Sequence, residues 1–356
     1  MTILDRYIGL ALARSALLVI LILLPLFTLL DLVQQLDDIG TGNYGLLDAL
    51  LYEVFLIPTY LLSLVPFTAL LGTSMALGGL AHSNELTAMR ASGVSIQRIG
   101  LATLKSGTLF ILLAIIIMEW AAPPLHQQAI KRQSLALSGG DVLIEEHGSW
   151  IHQGNRFINL SNIHKGHTLT DIHIFEFDPE KQQLNFYLHA DQAEIKDRKQ
   201  WLYKGLTLKN FKEKDVITRH EAELVRESYL TEKQLSVMEQ PINSLPPTSL
   251  YQYLKYLRAS GQETERYEMV FWQKATFPVT VIIMMLCSFP FVFSSLRTSS
   301  AGKRIVLATI TGISFQLLSQ LLANLGLMLD ISPLLTTLMP IVVILLPGAV
   351  LIRRAF

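Results

Sequence analysis

Between two long apolar runs, residues 80–93 hold the side chains of this sequence best placed to make a specific charged contact. Ser83 suits a helix N-cap, Glu85 then falls in the first turn where the helix dipole favours an anion, and Gly93 offers a left-handed stop. The spacing predicts one short helix outside the lipid, since the stretch is too short and too polar to cross a bilayer. Leu86 and Met89 lie three apart and share a face, while Glu85 and Arg90 put opposite charges at its edges. A helix of this kind can bind a partner through an apolar strip flanked by charge. The plainer reading is a polar turn between two spans.

Other residue types that could do chemistry form no catalytic pattern. There is no HExxH metal helix, and no pair of aspartates sits mid-span as a proteolytic dyad requires. Gly302-Lys303 hints at a phosphate loop, but Arg297 stands where that loop needs its first glycine, and Arg304 follows where it needs Ser or Thr. His147, His152, His164, His167, His173 and His189 follow no metal-ligand spacing and are expected to be surface residues, so no metal or other cofactor is expected. Cys287, the single cysteine, excludes an intramolecular disulfide and a Cys-based metal cluster.

The elements that must position these residues are mostly membrane spans. Of 356 residues 51% are hydrophobic and 16% charged, with 29 basic and 29 acidic side chains, which argues against a nucleic-acid binder. The apolar residues are bunched. Spans are expected at about 10–32, 50–80, 99–122, 270–293, 305–329 and 333–352, with Pro25, Pro58 and Pro66 tolerated as bends and Pro123-Pro124 ending the third. Met89 and Met284-Met285 are read otherwise: the former as part of the binding strip, the latter, with residues 289–293, as span packing. Residues 125–247 lack apolar runs and show short alternating segments separated by turn clusters, which predicts an inserted antiparallel all-β domain, a sandwich or open barrel. A helix capped by Thr248 and ended by Gly261 returns the chain to the bilayer. The expected domains are therefore 1–124, with the short helix at 82–93, then 125–247, then 248–356. Arg6, Arg14, Arg90, Arg98, Arg297, Lys303, Arg304, Arg353 and Arg354 fall on one side of the membrane, and Asp37, Asp38 and Asp330 on the other. Both termini are thus expected in the cytoplasm and the region from Lys131 to Glu239 outside it.

Residues 82–86 with 89–95 resemble the coupling segment of the lipopolysaccharide export permeases, the LptF/LptG family. Residues 4–9, 119–123 and 253–267 are similar to that family in order and spacing, as is the three-plus-three layout. The resemblance implies a permease half of an ABC-type exporter in the inner membrane of a Gram-negative bacterium, not an enzyme. It further implies pairing with LptF, an LptB ATPase dimer that receives the segment around Glu85, Leu86, Met89 and Arg90, transfer of lipopolysaccharide to LptC, and a periplasmic β-jellyroll. Moving one acyl chain of about ten methylenes into water costs roughly 8 kcal/mol, which excludes a watery route. Leu23, Leu26, Phe27, Leu30, Phe67, Leu70, Phe315 and Leu318 are the candidate walls of an apolar cavity, against plain helix packing. The family tends to carry lysines after the first span, where this chain has Asp31, Asp37 and Asp38, so Lys131, Arg132 and Lys274 are the candidate phosphate contacts, against solvated surface charge. On the residues alone two rivals stay open: a receptor or structural protein whose β domain binds a periplasmic ligand, and an embedded lipid-carrier transferase.

Overall fold

The computed structural model describes residues 3–137, 149–153, 155–164, 168–178, 183–197, 200–211, 216–227, 241–259, 264–293 and 301–355. These fall into two compact units, one of residues 1–39, 45–130 and 265–356, the other of residues 40–44 and 131–264.

The first unit is a helical bundle. Helix α1 (Ile3–Gln35) buries Asp5, Ile8, Leu12, Ala16 and Val19, a stripe with steps of three and four, and leaves the rest of its apolar surface outside. Helix α2 (Leu46–His82) runs unbroken through Pro58 and Pro66, and its Gly72 lets the backbone of Ala16 approach, a Cβ there meeting Ala16 Cα at 3.2 Å. Helix α3 (Glu85–Ala91) is the short polar element. Helix α4 (Ile96–Ile116) passes through a π-turn, Ile117–Ala121, into α5 (Ala122–Leu137). Pro123-Pro124 therefore does not end this helix, as the sequence suggested. The wider turn just before the prolines absorbs the backbone bonds they cannot make.

After the β region, α6 (Pro247–Ala259) precedes α7 (Glu265–Cys287), α8 (Phe289–Phe293), α9 (Ala301–Met328) and α10 (Pro333–Ala355). Five stretches among the described residues are long and apolar enough to cross a membrane: α1, α2, α4–α5, α7–α8 and α9; α10 is a further apolar helix. One core of the bundle joins Val19, Leu70, Leu71, Met284, Cys287, Ala308, Phe315 and Ile341. Helices so apolar on their outer faces as well are those of a membrane protein.

The second unit is built on one antiparallel sheet: β1 (Ser149–Gln153), β2 (Arg156–His164), β3 (Thr168–Phe177), β4 (Leu184–Asp197), β5 (Gln200–Phe211) and β6 (Val216–Glu227), paired in sequence order. Among the described residues this is a meander, without the crossovers that a jellyroll needs. Its core is Ile158, Leu169, Ile172, Ile174, Leu188, Ala190, Ala193, Trp201, Tyr203 and Leu206, with Tyr256 of α6 packed against it.

Burial does not simply alternate along these strands. It falls on Leu169 and then Ile172, on Ala190 and then Ala193, on Tyr203 and then Leu206. The residues at which the phase slips are Asp171 (φ 55°), Asp191 and Gly205 (φ 67°), and the pairs flanking them, Ile172↔Ala190 with Thr170↔Gln192 and Ala190↔Leu206 with Gln192↔Lys204, place all three in one row. Each strand slips together with its neighbours, so the register survives and the sheet keeps one continuous apolar face.

Candidate functional site

The site is built at one end of the helical bundle. Ser83 does not cap α3 as the sequence suggested. It closes α2 instead, its backbone N–H donating to Gly79 O at 3.0 Å, and Asn84 enters the left-handed region (φ 61°) to start α3 without a side-chain cap. The Ser83 hydroxyl donates to Glu85 Oε1 at 2.8 Å, and the Tyr7 hydroxyl of α1 donates to Glu85 Oε2. These two donors hold the Glu85 carboxyl below the usual carboxylate range. At the other end of α3, Gly93 takes φ 91°, its N–H donates to Arg90 O and that of Val94 to Met89 O, both at 3.0 Å. This is the glycine stop expected of the sequence, in Schellman form.

Leu86 is only 4% exposed, buried among Ile8, Leu77, Leu80, Ile99, Ala102, Phe289 and Val292, with Met89 and Val94 packed alongside. The apolar strip therefore seats α3 on its own bundle and Leu86 is closed to any partner groove, contrary to the sequence reading. Leaving a leucine in water costs about 1.5–3 kcal/mol, and the bundle offers the nearest cover. What α3 presents outward is Thr87, Ala88, Arg90 and Ala91, with Glu85 half-exposed at the rim.

Two further contacts tie this end together, neither visible in the sequence. Arg98, in the first turn of α4, pairs with Asp5 of α1 at 2.6 Å, and the Asp5 side chain is 1% exposed. Arg304 is buried, and its Nη1 donates to Gly78 O of α2 at 3.4 Å. Position in sequence gives no hint of these pairings, since each joins different helices.

The other candidate residues fall in different places. Leu70 and Phe315 are buried in the bundle core with Leu23 beside them, and Phe67 lies against Gly312. Leu26, Phe27 and Leu30 stay on the exposed apolar surface of α1, and Leu318 is half-buried on α9. Asp31 is no loop charge: the Tyr60 hydroxyl donates to its Oδ2 at 2.6 Å, and buried Glu53 lies next to it. Lys131 and Arg132 are exposed on α5, whereas Lys274 is partly buried and feels the charge of Glu119.

The family described as lipopolysaccharide export system permease LptF/LptG matches residues 6–354 of this sequence. The chain belongs to the LptF/LptG family. It is 31% identical over 338 residues to the lipopolysaccharide export system permease protein LptG of Haemophilus influenzae, covering 95% of this chain and 94% of that one. The identity is likewise 31% over 340 residues to LptG of Escherichia coli strain K12, again covering 95% and 94%. As an LptF/LptG protein with apolar helices of spanning length, the chain is a multi-pass membrane permease subunit of the lipopolysaccharide export system.

Proposed function

We propose that this chain is the LptG-type half of an ABC-type exporter, paired with LptF on a dimer of the ATPase LptB. It extracts lipopolysaccharide from the inner membrane and passes it to LptC and a periplasmic bridge. The similarity to LptG proteins along 95% of the chain carries this reading. In it α1, α2, α4, α7–α8, α9 and α10 make six crossings, both termini are cytoplasmic, and residues 131–239 are periplasmic. The gathering of Asp5, Arg98, Arg304 and α3 at one end of the bundle supports that orientation.

The chain supplies no phosphate loop, so energy must arrive from a partner through a rigid contact. Helix α3 suits that role because it is clamped rather than tethered: Leu86 fixes it to α1, α2, α4 and α8, and Tyr7 fixes its N-terminus to α1. A push on α3 is thus delivered to four helices at once. The partner's contact is the outer face with Arg90, and Glu85 can still accept a basic side chain, since a carboxylate has about four acceptor sites and two are used here. The experiment is co-purification from native membranes through a tag on this chain. A Walker-motif ATPase, a second permease and bound lipopolysaccharide are expected together; recovery of the chain without an ATPase overturns the reading.

A further inference from the structure

On the face of the sheet opposite its apolar core, β3 and β4 bring together Asp171, His173 and His189. The two histidines are directly opposed in the register and their rings stack with centroids 4.7 Å apart. Asp171 Oδ1 lies 3.1 Å from His173 Nε2 and 3.0 Å from His189 Nε2, and one ligand atom from each residue falls within 4.8 Å of the other two. Asp171 can turn its carboxylate to that face because it sits at the phase slip with φ 55°, a backbone conformation that a non-glycine residue rarely adopts inside a strand. On the far side of His173, the Tyr187 hydroxyl is 2.9 Å from Nδ1, which fixes the ring with Nε2 aimed at the shared point.

We propose that Asp171, His173 and His189 form a transition-metal site, with Zn²⁺ the ion it suits best. Two imidazole nitrogens and one carboxylate oxygen are a zinc donor set, and imidazole disfavours Mg²⁺ and Ca²⁺. At bond lengths of about 2.0–2.1 Å, tetrahedral donors stand about 3.3 Å apart. The two separations from Asp171 Oδ1, 3.0 and 3.1 Å, need to open by a few tenths of an ångström, while the two histidine ligand atoms, within 4.8 Å of each other, come to the same distance as the stacked rings turn toward the ion. The proton balance also closes. Without an ion, Nε2–H of His173 donates to Asp171 and Nδ1 accepts from Tyr187; with an ion, Nε2 is the ligand and Nδ1–H donates to the Tyr187 oxygen. A hydroxyl serves either way, and such an outer partner is the usual companion of a metal-bound histidine. Both histidines are partly exposed and Asp171 is half-exposed, so an ion enters from solvent and a fourth position stays open to water or an anionic oxygen. The site stands apart from the transport reading, and neither depends on the other.

Spacing along the chain does not reveal such a cluster, because residues on paired strands are brought together by register. The test uses full-length protein in detergent, stripped of metal with a chelator, then titrated with Co²⁺ followed by optical absorption and with Zn²⁺ in competition. One saturating equivalent is expected, with a tetrahedral Co²⁺ spectrum. His189→Gln or Asp171→Asn should weaken Zn²⁺ at least about 100-fold and Tyr187→Phe about 10-fold. His220→Ala, on β6 beside Thr207, should leave it unchanged. To separate lost ligands from lost fold, the unfolding temperature of each metal-free variant is compared with the parent; Zn²⁺ should raise it for the parent and not for a correctly folded His189→Gln. No saturable uptake below about 100 μM, or equal loss in His220→Ala, overturns the site.

Discussion

Glu85 illustrates how a residue can be located by sequence while its neighbours are not. Its place in the first turn of a short helix was legible, because the polar stretch, the glycine stop and the dipole argument are all local. Tyr7, seventy-eight positions away, was not, because nothing in sequence pairs the start of one helix with the start of another. The geometry separates two roles for the carboxylate, internal acceptor and partner contact. Glu85→Lys removes both and reverses the charge, so export is expected to be abolished and ATPase recovery reduced with the bundle still folded. Glu85→Gln keeps one carbonyl oxygen for two hydroxyls and loses the charge, so the expected defect is milder. Tyr7→Phe deletes only the internal bond, and most export should survive. Measuring lipid release and ATPase recovery for the three variants decides between the roles: a Tyr7→Phe defect as deep as that of Glu85→Lys would make the glutamate a purely internal strut. Asp5 gives a second residue-scale test. Removing the cation with Arg98→Met takes the opposite charge away from a buried carboxylate, and the expected cost is about 3 kcal/mol in a reversible unfolding assay, against little change for an exposed cation such as Arg90→Met.

Among the elements, those read from long periodic apolar runs emerged as helices near the expected positions, and the departures share one cause. Sequence signals mark where a pattern is interrupted, and interruption is not always an end. Pro123-Pro124 interrupts a helix that a π-turn carries onward. Likewise the alternation 201–203 and 206–211 reads as two strands, whereas β5 is continuous through Gly205 with its phase slipped by one. In β4 the alternating segment read from the sequence, 184–189, stops just short of Asp191, where the same slip falls, whereas the strand continues to Asp197. Gly205 is the position where the slip has no side chain to accommodate it, since a Cβ would collide with the Asp191 carboxylate and φ is positive. Gly205→Ala is therefore expected to destabilise the β unit by about 2 kcal/mol, from the left-handed backbone penalty plus displacement of Asp191. Limited proteolysis of the β unit should register this as earlier cleavage, while the helical unit stays resistant. A substitution at Gly79, where added bulk meets open space, is the matched control.

At the scale of the whole molecule, the charge asymmetry of the loops and the six apolar runs argue one orientation, and the lipid's route depends on it. The acidic residues that stand where the family tends to carry lysines bear on that route. Asp31 accepts from Tyr60 and lies beside buried Glu53, so it is part of the join between α1 and α2. Lys274 answers the charge of Glu119 on a neighbouring helix. The two cations of α5, Lys131 and Arg132, are exposed, and we propose them as the contacts for an anionic sugar headgroup. Their use requires that this end of α5 lie outside the cytoplasm, which a reporter fused after Asp178 should confirm by activity confined to the periplasm. Given that orientation, replacing both with glutamate should weaken photocrosslinking of lipopolysaccharide to the purified complex several-fold, and more strongly at low ionic strength, because phosphate attraction at an exposed site is screened by salt. Subunit assembly should be unchanged, since neither residue belongs to the bundle core. Crosslinking that is indifferent to both the double substitution and the salt would return Lys131 and Arg132 to solvated surface charge, and the headgroup would then have to be held by cations of a partner subunit.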